Sequence, residues 1–145
     1  MQSVPFALPE KLDRELAAVQ SYWEGLKRGG NTMPFWDDLK LSVLDGEGAS
    51  LLLIDAFEQP ERFRFNFLSD GLKGAGDLKG DFLDTAALPH PFEFMRAQCS
   101  ATVEGRAPTY YRNAGTDGAP GYSRLLLPMW GDGRIGMLLG AIAGA

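Results

Sequence analysis

The stretch YSRLLLPMWGDGRIGMLLGAI, residues 122–142, decides how the rest of the chain is read. It holds two apolar runs, YSRLLLPMW and RIGMLLGAI, on either side of Gly131-Asp132-Gly133. A Gly-Asp-Gly break between strand-like runs turns the chain back on itself, so the stretch predicts an antiparallel hairpin. Runs that are apolar at nearly every position, rather than at alternate ones, cannot face water on either side. The hairpin therefore belongs inside a sheet, with cover on both faces.

Working back from it, TDGAPG (116–121) reads as a turn and RAPTYYRNAG (106–115) as a strand. Before these, PFEFMRAQCSATVEG (91–105) predicts a helix with Phe92, Met95, Cys99 and Val103 on one face and Gly105 closing it. Further upstream, SLLLIDAF (50–57) reads as a buried strand. RFRFNFL (62–68) sets Phe63, Phe65 and Phe67 against Arg62, Arg64 and Asn66, the period-2 pattern of a half-solvated strand. EQPER between them predicts a hairpin loop, and residues 69–91, rich in glycine and turn formers, leave room only for short helical turns near Leu72 and over 82–87. Leu39, Leu41 and Leu44 follow Pro34 as a short helical or irregular segment.

The chain opens on a predicted helix. Pro9 and Glu10 suit a first turn, and Leu12, Leu16, Val19, Trp23 and Leu26 recur at steps of four, three, four and three before Gly29-Gly30 ends the run. This seam has two readings: docking on the protein's own core, or pairing with a second copy. Residues 1–30 are thus expected as an amphipathic helix and 31–145 as the domain it packs on, one structural unit overall. Helix, hairpin, helix and three strands in that order predict an α+β fold.

Composition narrows the function. The 145 residues fit one ordinary domain, and 45% hydrophobic content supports a core. Fourteen Lys and Arg against 19 Asp and Glu leave a net charge of −5, which argues against nucleic acid and anionic lipid as partners. No basic segment followed by an apolar run marks a secretory signal, and no run has the ~20 apolar residues of a membrane helix. Cys99 is the only cysteine, so an internal disulfide is excluded and a reducing, cytoplasmic setting is expected.

Several residues invite chemical readings. His90, the only histidine, stands between Pro89 and Pro91 and reads as a surface or capping residue rather than a haem ligand. Cys99 lies on an apolar helix face in AQCSA and reads as a small core residue rather than a flavin-reactive thiol. Asp37 and Asp38 are adjacent and so point apart, which excludes a general acid–base pair. Asp55 lies inside a buried-looking strand and needs a partner, expected in the region 62–64 across the hairpin. GAGDLKG (74–80) lacks the Lys-Ser/Thr pair of a phosphate loop and reads as a connector. No nucleophile–base or metal set is apparent, so an enzyme is not expected and no cofactor is required.

Four stretches together resemble a known family. YWEGLKRGGNTMP (22–34), LLLIDAFEQPERFRFNFL (51–68), GDLKGDFLD (76–84) and the closing hairpin with its Leu-Pro pair are similar, in that order, to the single-domain PAS proteins of alphaproteobacteria of the PAS_5 or DUF1457 type. FWDDLKL (35–41) and LSDGLKGAG (68–76) depart from the pattern of that group. The resemblance implies a five-stranded antiparallel sheet with helices on one face and a long N-terminal helix. The closing hairpin would lie at the centre of the sheet, roofed by the 91–104 helix, its other face partly covered by the N-terminal helix or a partner. It implies a sensory, signalling or adaptor role through protein contact, with an unidentified signalling protein as partner; the spacing of the seam Leu12, Leu16, Val19, Trp23 and Leu26 adds the expectation of a homodimer through it. A small ligand between sheet and helix is the alternative, with Phe65, Phe67, Phe92, Met95, Cys99, Leu125, Leu127 and Met137 as its expected lining.

Overall fold

The computed structural model describes residues 6–44, 48–72, 78–84, 88–116, 118–131 and 133–144. In chain order its elements are α1 (Arg14–Gly25), 3-10 turns at Trp36–Asp38 and Leu41–Leu44, β1 (Ser50–Glu58), β2 (Glu61–Leu68), a 3-10 turn at Asp70–Leu72, α2 (Met95–Gly105), β3 (Thr109–Asn113), β4 (Tyr122–Gly131) and β5 (Arg134–Ala143). The five strands form one antiparallel sheet in the order β2-β1-β5-β4-β3. The expected α+β class and the closing hairpin at the sheet's interior are both present, with β5 as the middle strand.

Strand registers sort the side chains onto two faces. Arg124 pairs with Ile142, Leu126 with Gly140 and Pro128 with Leu138, and these point toward α2. Leu125 pairs with Ala141 and Leu127 with Leu139, and these point the opposite way, toward α1. All of Leu125, Leu126, Leu127, Leu138, Leu139 and Ala141 are fully buried. A strand covered on both faces has no use for alternation, which explains the unbroken apolar runs.

Pro128 sits inside β4 although proline cannot donate to a ladder. Its carbonyl points away from β5 and accepts a 2.9 Å hydrogen bond from Trp23 Nε1 of α1. The missing N–H lies on that same side, beyond the last β3 pair, Thr109 with Leu126, where no strand asks for a donor. Two residues on, the Trp130 N–H reaches the Pro34 carbonyl at 2.8 Å, and Phe35 bridges to Trp130. β4 is thus flanked first by β3 and then by the 34–35 segment.

Four expectations are corrected. The N-terminal helix is not long: it spans 12 residues, from Arg14 to Gly25, so Leu12 precedes it and Leu26 is its C-cap. Its end tightens into i→i+3 bonds, Leu26 N–H to the Trp23 carbonyl and Lys27 N–H to that of Glu24, and the chain leaves the helix before the left-handed Gly29. The second helix starts at Met95 rather than at 91, because Phe94 takes a left-handed conformation (φ 56°) that no helix continues through. The β1–β2 loop is two residues, Gln59 and Pro60, since Glu58 still pairs with Glu61. Phe82 is no helical turn either: it bridges to Arg64 and, with the flanking backbone bonds of Leu83 to Phe63 and Phe65 to Asp81, covers the outer edge of β2. Residues 85–87 of the expected 82–87 turn, most of 74–80 and Asp132 lie outside the described residues.

Candidate functional site

The residues expected to line one pocket are divided by the sheet. Phe65 pairs with Ile54 on the α2 face, where Phe92, Met95 and Cys99 also pack; the Phe65 and Phe92 rings meet at 5.2 Å. Leu125, Leu127, Met137 and Phe67 belong to the opposite face. One cavity cannot collect both sets. The four on the α2 side are exposed by only 0–1%, which leaves no water-sized void against them. At Gly140 the neighbours Leu52 and Leu126 close over the missing side chain, and a Cβ there would come within 2.7 Å of Leu52. Side chains fill the space between sheet and helix. Burial pushes the Cys99 thiol up to about 12, which makes it an inert core group.

What does stand between the sheet and α2 is a polar cluster around Arg124. Its guanidinium is completely buried. It donates through Nε to Gln98 Oε1 at 2.7 Å, through Nη1 to the Pro91 carbonyl at 3.0 Å and through Nη2 to the Glu93 carbonyl at 2.8 Å. The Tyr111 and Tyr122 rings lie 4.9 and 5.9 Å from it. Among the described residues no carboxylate forms an ion pair with it, and burial lowers its pKa. The charge is held by neutral acceptors and ring faces, which suit a planar donor fork. Gln98 passes the network on: its Nε2 donates to Thr109 Oγ1 at 3.1 Å and to the Arg124 carbonyl at 3.3 Å, and Thr102 and Thr109 share a 2.6 Å bond.

His90 and Glu93 form the outer end of this cluster. Glu93 accepts a 2.7 Å bond from the Tyr122 hydroxyl and shares a 2.9 Å bond with His90 Nδ1. Burial works to raise the Glu93 pKa, but the bonds from Tyr122 and His90 outweigh it and hold the carboxyl below its ordinary value. Burial and the bond to Glu93 raise that of Tyr122, so the phenol stays protonated as a donor. The His90 ring stands edge-on to Tyr122 at 5.0 Å, with Nε2 buried and without a partner. His90 is therefore tied to the 90–94 turn by its neighbours. Sequence reading missed Arg124 and Glu93, although an arginine inside the run YSRLLL was the available signal: a charge there must be matched.

The opposite face is only partly covered. Leu16, Val19 and Trp23 of the seam are buried in the protein's own core, on the β4 and β5 half of the sheet. Over β1 and β2 no α-helix lies among the described residues; the 3-10 turns at Trp36–Asp38 and Leu41–Leu44 flank Leu53 there instead. There Asp55 accepts from Arg64 Nη2 at 2.9 Å and from Asn66 Nδ2 at 3.1 Å, the pairing across the hairpin expected from sequence. Beside them a cleft of about 560 Å3 is lined by Trp36, Asp37, Leu39, Leu41, Leu53, Asn66 and Met137. Val43 and Trp36, 57% and 42% exposed, stand on the turns that rim it. Asp38 is engaged elsewhere, in a two-bond pair with Arg28 at 2.6 and 2.8 Å that lowers its pKa.

No group of His, Cys, Asp and Glu among the described residues could hold a metal ion, and no helix among them is long and apolar enough to cross a membrane. Set against protein-family models, curated proteins and solved structures, the chain finds no match in any of the three.

Proposed function

We propose that this chain is a PAS-like sensory or adaptor domain that acts through contact with other proteins, in the cytoplasm. The observation that carries the reading is the uneven cover of the sheet. The α2 face is filled with side chains, and α1 closes only half of the other face. Over β1 the 36–44 turns leave a broad cleft lined by Leu53 and Met137, with the exposed Trp36 in its lining and the exposed Val43 on the turn beside Leu41. Exposed apolar groups gathered around a concavity fit a protein contact better than a solvated surface. The resemblance of the four stretches to PAS proteins supports the same role. Since the seam of α1 is buried in its own sheet, contact with a second copy or with a signalling protein falls to the open half-face rather than to that seam.

The test compares the wild-type chain with Val43→Glu. Val43 is exposed, so the charge leaves the fold intact. Mass in solution by light scattering, and affinity capture from native cytoplasm, should both show an associated species that the variant loses. A single-chain mass together with identical captures from the two proteins would sink the reading.

A further inference from the structure

We infer that a second cleft, at the C-terminal end of α2, is a binding site for a single-ring aryl carboxylate. Its volume is about 220 Å3 and its lining is Asn31, Thr32, Met33, Phe35, Arg106 and Trp130. That is below the roughly 300–1,000 Å3 of sites for drug-sized molecules, so the space suits one ring and a small substituent. The inference does not depend on the proposed protein contact, and the site is not the space between sheet and helix.

The two rings are placed by the backbone. Phe35 and Trp130 are bridge partners, and the bond from Trp130 N–H to the Pro34 carbonyl locks that register. The bridge sets the two residues side by side in the backbone, and both line the cleft. Aromatic side chains in a cleft lining hold an aryl ligand through offset or edge contacts.

The charge is placed by an unusual cap. Arg106 is the C-cap of α2 and holds φ 51°, ψ 40°, its N–H closing the helix on the Thr102 carbonyl at 2.9 Å. Left-handed caps favour glycine, because in any other residue Cβ there crowds the following carbonyl oxygen. An arginine kept at such a position presents its side chain at a steric cost. Arg106 is exposed and lines the cleft, and among the described residues its guanidinium has no ion-pair or hydrogen-bond partner. A second guanidinium, that of Arg28, lies 5.8 Å from the Phe35 ring and is held there by Asp38. Arg28 is neutralised by that pair, which leaves Arg106 as the unpaired cation of the lining. Asn31 and Thr32 add short polar groups at the rim. Two aromatic side chains and an unpaired planar fork in one lining match a ring that carries a carboxylate, which the fork binds through two parallel bonds.

Benzoate and its neutral counterpart benzamide are the probes, read by saturation-transfer NMR and calorimetry on the full chain. Benzoate should bind with a sub-millimolar dissociation constant, and benzamide at least about tenfold more weakly, the difference between a charge-assisted pair and a neutral bond. Arg106→Gly is the decisive variant. Glycine relieves the left-handed cap, so thermal stability should hold or rise while benzoate affinity falls at least about tenfold. Arg106→Lys should restore part of that affinity. The inference is overturned by an absence of benzoate binding, by benzamide binding as well as benzoate, or by Arg106→Gly keeping wild-type affinity.

Discussion

At the scale of the residue, Arg124 governs the α2 side of the sheet. A buried guanidinium is tolerated because three acceptors from two chain segments converge on it. Removing it strands Gln98 Oε1 and the Pro91 and Glu93 carbonyls, each worth about 1–3 kcal/mol when left without a donor. Arg124→Ala should therefore lower unfolding free energy by about 3 kcal/mol or more in urea titration; a loss under 1 kcal/mol would show that the cluster is dispensable. Glu93 supplies a pH signature. Its carboxyl is lowered from the ordinary 4.5 in the folded chain, so the ionised form stabilises the fold at pH above that value. The contribution fades as pH falls below 4.5 through the lower folded pKa. Wild type should thus be more stable than Glu93→Gln near neutral pH, and the two should converge in acid; parallel stability–pH curves would contradict the assignment. Asp55 was legible at this scale, since a carboxylate in a buried strand demands a partner. Glu93 was not, because a carboxylate after His-Pro-Phe reads as surface until Tyr122 is folded against it.

At the scale of the element, the closures are specific. The Trp23 indole covers the one carbonyl that Pro128 leaves outside the ladder. Trp23→Phe keeps most of the apolar bulk and removes the donor, so it should cost about 1–3 kcal/mol, read from the thermal midpoint. The glycines of the central hairpin differ in what they tolerate. At Gly140 a Cβ would meet Leu52 at 2.7 Å and Leu126 at 3.1 Å, both fully buried, so Gly140→Ala should cost about 1–3 kcal/mol. At Gly131 a Cβ would meet the Trp36 indole at 2.0 Å, but that residue is 42% exposed and its ring can swing clear. Gly131→Ala should shift tryptophan fluorescence while changing stability by less than about 1 kcal/mol. Strands were legible here because their runs end at turn formers. The helix boundaries were not: an apolar seam at steps of three and four passes through Leu12 and Leu26 whether or not the backbone there is helical.

At the scale of the whole molecule, one sheet is covered by α2 on one face and on the other by α1 in its middle and by the 36–44 turns beside β1, where a cleft remains. Amide exchange should follow that cover: slowest in β4 and β5, faster in β2 and β3 at the edges. Uniform protection across the five strands of this sheet would contradict it. The same unevenness separates the filled α2 face from the open half-face on which the proposed contact rests.

By itself the sequence determined that the protein is α+β, that its closing hairpin is interior, and that Asp55 needs a partner. Each is a local property: a period of apolar residues, a turn between runs, a charge among apolar neighbours. Only the tertiary structure decided which face each residue shares. The β1–β2 bulge at Leu53 and Ile54 and the strand order put Phe65 on one side of the sheet and Leu125 and Met137 on the other. It likewise brought Phe35 beside Trp130 and Arg106 to their end of the sheet, across about a hundred residues of chain. Side-chain direction in a strand alternates with register, and register is set by pairing with segments far away in sequence, which no local pattern records.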